Sequence, residues 1–103
     1  MGIINVTKDN FDQEVIKSKN KVLIDFNASW CGPCRMLTPV LESLAEEKNN
    51  IKFVSIDTDE EEDLAMDYKV FSIPCLVLIE DGKEIKRNVG LISKSELEEF
   101  IGE

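Results

Sequence analysis

The chain has 103 residues, 43% of them apolar, which allows one domain over 1–103 with its own core and no need of disulfide staples. Acidic residues outnumber basic ones 21 to 12, a net charge of −9 that argues against nucleic acid and anionic membrane surfaces as partners and predicts a monomer that stays in solution. Three cysteines do not resemble a secreted disulfide framework. With no charged-then-apolar leader and no apolar run of membrane length, the expected location is cytoplasmic.

In chain order, Ile3–Val6 predicts a short edge strand, and Phe11, Val15 and Ile16 mark one face of a first helix opening near Thr7 or Asp9. The apolar run Val22–Ala28 predicts the central strand. Strand alternation sends Leu23, Asp25 and Asn27 to one side and Val22, Ile24 and Phe26 to the other. A second helix follows, with Leu37, Val40, Leu41, Leu44 and Ala45 toward the sheet and a kink expected at Pro39. Lys52–Asp57 reads as the third strand, and Thr58 with Glu61 has capping-box spacing for a third helix ending near Tyr68. Cys75–Glu80 and Glu84–Val89 predict a hairpin closed by Asp81-Gly82, and Ser93 with Glu96 caps a last helix that buries Leu97, Phe100 and Ile101. The pattern is α/β, a mixed sheet with helices on both faces. The acidic run Asp57–Asp63 lacks the glycine of a calcium loop and has Tyr68 where that loop needs glutamate, so it reads as a helix start in solvent.

Residues 30–34 read Trp-Cys-Gly-Pro-Cys, directly after the central strand and at the opening of the second helix. Two thiols at this spacing can close a small ring, and a helix N-terminus offers unpaired N–H donors and partial positive charge that favour thiolate over thiol. Gly32 permits a tight turn, and Pro33 fits the first helical turn, where its missing N–H would lack a partner. A zinc half-site uses the same spacing, but it needs two further ligands, and the chain has no histidine and one other cysteine, so no metal is expected. Asp25 is the ionisable residue in a strand that otherwise reads as core. A carboxylate buried there without a partner costs several kcal/mol or stays protonated, which marks it as a proton-transfer group.

Val22–Phe26, Trp30–Arg35, Pro39, Ile73-Pro74, Asp81-Gly82 and Val89-Gly90 fall in the order and spacing of the thioredoxin family, and the chain resembles it from about Val6 to Ile101. The resemblance implies a thioredoxin fold, a central mixed five-stranded sheet flanked by four helices. It also implies a general protein-disulfide reductase. In that role Cys31, the solvent-facing sulfur, attacks a substrate disulfide as thiolate, Cys34 resolves the mixed disulfide, and Asp25 beneath Cys34 takes its proton. Gly32 and Pro33 would tune the redox potential. Ile73-Pro74 would be cis, with Trp30, Ile73, Pro74, Gly90 and Leu91 forming a substrate-binding rim. Trp30 as ordinary packing is an equal reading, and Arg35 either adds positive field or is solvated. No bound cofactor is implied, and electrons would come from a separate thioredoxin reductase and pass to disulfide-containing target proteins. Two other readings are a dedicated reductant of one partner enzyme and a non-catalytic binding subunit that uses the rim around Trp30.

Three positions depart from the family pattern. Phe53 stands where a lysine commonly lies opposite the aspartate, Asn27 where tryptophan is common, and Cys75 where threonine follows the cis-proline. Cys75 reads as a small buried hydrophobe beneath or beside the dithiol; the alternative is a third thiol acting as a redox switch.

Overall fold

The central strand of the chain is dictated by its most continuous apolar run, Val22–Phe26, and every other element is placed relative to it. A computed structural model describes residues 2–102. The elements are β1 (Ile3–Asn5), α1 (Asp12–Ile16), β2 (Lys21–Asn27), α2 (Gly32–Glu47), β3 (Ile51–Asp57), α3 (Glu62–Asp67), β4 (Cys75–Glu80), β5 (Lys83–Val89) and α4 (Lys94–Ile101). Among the described residues the sheet has five strands in the order β1-β3-β2-β4-β5. β1, β3 and β2 run parallel, while β4 is antiparallel to β2 and β5 antiparallel to β4.

Alternation along β2 divides the core into two layers, as the sequence requires. Val22, Ile24 and Phe26 pack with Val54, Ile56, Val77 and Ile79 under α1 and α3. Leu23 packs on the other face with Phe53, Leu76 and Leu78, beneath Leu37, Leu41 and Leu44 of α2 and Leu97 and Ile101 of α4. Val40, Ala45 and Phe100 lie at the edge of that second layer, partly buried. α2 runs unbroken through Pro39 from Gly32 to Glu47. Cys75 is 1% exposed and belongs to the first layer, with Phe26 as its register partner, so it lies in the α1/α3 core and not in the cluster of Ala28, Cys31 and Cys34. Burial pushes its thiol above the ordinary cysteine value.

Two local expectations fail. Ile16 was expected on the buried face of the first helix, but α1 is a single turn of π type, closed by Lys17 N–H donating to the Asp12 carbonyl oxygen at 2.9 Å. Val15 stays buried, while Ile16 is turned out to lie against the hairpin loop, where a Cβ on Gly82 would stand 3.6 Å from its Cγ2. The Thr58–Glu61 capping box does not form: α3 begins only at Glu62 and has no side-chain cap. Asp57 competes successfully for the turn, its Oδ1 accepting from the N–H groups of Asp59 at 2.8 Å and Glu60 at 3.2 Å. Thr58 instead donates to the Asn27 carbonyl oxygen at 3.2 Å, and Glu61 Oε1 accepts from Lys8 N–H at 2.9 Å.

The remaining signals take the geometry their residue types demand. Asp81 and Gly82 both have positive φ, 53° and 77°, as a two-residue hairpin matched to the sheet twist needs. Ser93 and Glu96 form a reciprocal capping box at α4, at 3.2 Å and 3.0 Å. Ser93→Ala should therefore cost about 1 kcal/mol, read as a lower denaturant midpoint at unchanged slope. Cys75 should resist iodoacetamide in native buffer at pH 8 and react once denaturant is added. Native-state labelling would contradict its burial.

Candidate active site

The turn from β2 into α2 sets the dithiol. Cys31 N–H donates to the Ala28 carbonyl oxygen at 3.2 Å, which folds the chain back so that Cys31 takes the N-cap position of α2. A helix start leaves N–H donors without helical acceptors, and here a sulfur meets one of them: Cys34 N–H points at Cys31 Sγ at 3.2 Å. Pro33 sits in the first turn, where it removes no needed donor. Cys31 and Cys34 are joined as a disulfide with their Cα atoms 5.3 Å apart. In this form both residues are buried, at 4% and 3% exposure, so the expectation of a solvent-facing Cys31 does not hold for the closed ring. What separates the two is position along the helix: Cys31 caps it and Cys34 lies inside its first turn.

The cis Ile73–Pro74 bond lies across from this turn, and the Ile73 carbonyl oxygen is 4.0 Å from Cys31 Sγ. Gly90 N–H donates to the Pro74 carbonyl oxygen at 2.8 Å, which joins the Gly90-Leu91 turn to the same loop. Gly90 has φ of 102°, a conformation that side-chain-bearing residues rarely adopt. Trp30 is 67% exposed, so it is not core packing, and its indole N–H is fixed by a 2.8 Å hydrogen bond to Asp59 Oδ2. Leu91, Met36 and Phe71 are also exposed, Phe71 at 88%. Arg35 donates to the Ser29 carbonyl oxygen at 2.8 Å, its guanidinium 3.9 Å from where a Cβ on Gly32 would lie. That distance is ordinary contact, so Gly32 is not required by packing within the chain.

Asp25 is 5% exposed on the α2 side of β2, and burial pushes its carboxyl up to about 7 against the pull of a hydrogen bond from Asn27. Its partner across the parallel ladder is Ser55, while Phe53 sits opposite Leu23, two pairs back along the strand. Phe53 is thus not directly opposite Asp25 but two residues along β3 on the same face, because in-register parallel pairing puts Ser55 there. Asn27 Nδ2 donates to Asp25 Oδ2 at 3.2 Å, and it lies 2.8 Å from Ser55 Oγ. Strand alternation puts both side chains on one face; the hydrogen bond between them and the Ser55 contact are what the structure adds. Thr38 and Leu41 line the same cavity as Asp25, about 280 Å³ in volume, and Cys34 lies one turn before Thr38, which donates to its carbonyl oxygen at 3.1 Å.

Comparison with known proteins agrees with this arrangement. The family model described as Thioredoxin matches residues 2–103. A thioredoxin of Porphyra purpurea is 42% identical over 98% of this chain and 95% of its own length. That of Chlamydia trachomatis is 47% identical over 93% of this chain and 92% of its own. One from Pseudomonas aeruginosa is 41% identical over 96% and 93%. A helix-capping dithiol beside a cis-proline loop, on a five-stranded mixed sheet and in a sequence alike end to end, places the chain in the thioredoxin family.

Proposed function

We propose that this chain is a general protein-disulfide reductase cycling between a Cys31/Cys34 dithiol and the Cys31–Cys34 disulfide. The observation that supports this most is the disulfide closed at the N-terminus of α2, with the Cys34 N–H aimed at Cys31 Sγ. That donor and the helix dipole favour a thiolate at Cys31 once the ring is opened. The Cys31 thiolate attacks one sulfur of a substrate disulfide, and the other sulfur leaves with the electron pair and takes a proton from water. Asp25 accepts the proton of the Cys34 thiol. The Cys34 sulfur then attacks Cys31 Sγ, the mixed disulfide breaks, and the second substrate sulfur leaves as a thiol. The protein is oxidised by two electrons and the substrate reduced by two.

Trp30, Ile73, Pro74, Gly90 and Leu91 would bind the substrate chain, the Ile73 carbonyl beside Cys31 supplying a strand-like backbone partner. Gly32 needs no room inside the chain, which fits close approach of a substrate backbone; Gly32 and Pro33 together would set the potential. Electrons would come from a thioredoxin reductase in the cytoplasm, and the chain would serve electron transport and redox homeostasis as a single domain over 1–103. Among the described residues no helix is long and apolar enough to cross a membrane. Reduction of insulin disulfides by the wild type but not by Cys31→Ser is the expected result. Partner function kept by Cys31→Ser would favour a binding subunit instead.

Two predictions follow from these roles. In the reduced protein, alkylation rates measured against pH should show Cys31 reacting first and at lower pH, because it caps the helix while Cys34 lies inside it. Preferential modification of Cys34 would reverse the roles. Asp25→Asn should slow resolution of the mixed disulfide and also stabilise the fold. Because the carboxyl lies at about 7 when folded and at 3.8 in its ordinary state, folding binds a proton between those pH values. Stability is therefore full below about pH 4 and falls as pH rises toward 7, by at most on the order of 4 kcal/mol. The Asp25→Asn variant should melt above the wild type at pH 8 and lose that advantage by pH 4.

A further inference from the structure

The surroundings of Asp25 contain a device that the dithiol reaction does not by itself require. Asn27 Nδ2 faces three oxygens: the Asp25 carbonyl at 2.9 Å, Asp25 Oδ2 at 3.2 Å and Ser55 Oγ at 2.8 Å. A backbone carbonyl can only accept, so the atom facing it must be the amide nitrogen, and the orientation of the Asn27 side chain is fixed. Asp25 Oδ1, by contrast, is buried with no hydrogen-bond partner among the described residues. The two oxygens of one carboxyl are therefore unlike. A proton on Oδ2 would meet the hydrogens of the Asn27 amide, whereas Oδ1 is open to receive one.

We infer that Asn27 is a positioning residue for Asp25: its amide holds Oδ2, so that the carboxyl takes and releases protons at Oδ1. This rests on the reading of Asp25 as the proton acceptor of Cys34.

Among the described residues no cation lines the cavity beside the carboxyl, whose polar walls are Asn5, Asn27, Ser55, Thr38 and Glu42. The groups facing Asp25 can be named element by element. β3 presents Ser55 and Phe53, and β1 presents Ile3 and Asn5, none of them charged. β4 presents Leu76 opposite and Cys75 next to it, whose thiol feels the Asp25 charge from the far face of the sheet. α2 presents Thr38, Leu41 and Glu42 at the cavity and Cys34 one turn earlier. Glu42, the charged member of the set, can only disfavour the carboxylate, so the Asn27 amide is what favours it. Ser55 anchors the amide from the neighbouring strand, so the donor is held on a rigid element and not on a loop.

The test is a titration of the Asp25 carboxyl by carbon NMR in the oxidised protein, for the wild type, Asn27→Ala and Asn27→Asp. Removing the donor should raise the Asp25 midpoint by on the order of one pH unit. Asn27→Asp keeps the shape, puts a like charge beside Oδ2, and should raise it further. The order wild type, Ala, Asp is the expected result. Equal midpoints in all three, or a lower one in Asn27→Ala, would overturn the inference. Thermal unfolding of each variant checks that it is folded, and the shape-conserving Asn27→Asp decides the matter if Asn27→Ala is not.

Kinetics separate this inference from the reading it rests on. The pH midpoint of mixed-disulfide resolution should move up in Asn27→Ala, and the same change made in an Asp25→Asn background should move nothing. A shift that persists in that background would show Asn27 acting on something other than Asp25. An unchanged resolution rate in Asp25→Asn alone would refute the acceptor role and leave the NMR result standing.

Discussion

The site depends on one consequence of starting a helix: its first N–H groups have no helical acceptors and must find others. In this chain Cys31 Sγ takes the Cys34 N–H at 3.2 Å, so the proposed nucleophile is itself the helix cap. That requires β2 to stop at Asn27 and the chain to reverse within a few residues, which the Cys31 N–H bond to the Ala28 carbonyl secures. The end of β2 is held in turn by Thr58, whose N–H and hydroxyl both reach the Asn27 carbonyl oxygen, at 2.8 Å and 3.2 Å. A serine or aspartate cap would satisfy the same N–H but could not exchange with a disulfide. The local rule for beginning a helix and the chemical need for a favoured thiolate are met by a single atom.

Three residues into the sheet from the end of β2, the opposite condition holds. The helix end favours negative charge, and the middle of a core strand disfavours it, so burial lifts Asp25 to about 7 while the cap favours the Cys31 thiolate. Two acids whose environments push them in opposite directions can divide attack and proton acceptance near neutral pH. The arrangement is costly in stability, since an apolar or amide side chain at position 25 would fit the core without a desolvated charge. The fold tolerates that cost because β2 is paired on both sides, to β3 and β4, and is covered by helices on both faces.

What could be read from the sequence was whatever depends on residues near one another in the chain. Asp81-Gly82 needs positive φ wherever it occurs in a hairpin, and Ser93 with Glu96 satisfies two donors within one turn, so both were legible. The failures came where a distant group offered a better bond or a different register. Thr58 and Glu61 have capping spacing, but each found a partner elsewhere, at Asn27 and at Lys8, and Asp57 closed the turn instead. Ile16 follows helical spacing that a single π turn does not keep. The site was legible in its dithiol, its carboxyl and its cis-proline loop. The Ser55 contact that anchors Asn27 beside Asp25 was not, because pairing across the parallel ladder decides which side chain of β3 meets it, and that register is not written in either strand alone.

The acidic run before α3 shows how misleading net charge is as a guide to what a surface does. Asp57 closes the turn, Asp59 pins the indole of Trp30 at 2.8 Å, and Glu61 ties Lys8, so three of these carboxylates set geometry. The Asp59 bond matters most, because an exposed tryptophan held in one orientation loses less freedom on meeting a partner than a mobile one. Trp30 and Met36 flank the dithiol in the chain and are exposed, and desolvating such apolar groups is what can favour a complex. Charge so arranged fixes an exposed apolar side chain directly before Cys31. An overall charge of −9 is then compatible with the apolar and backbone-directed recognition proposed for the rim.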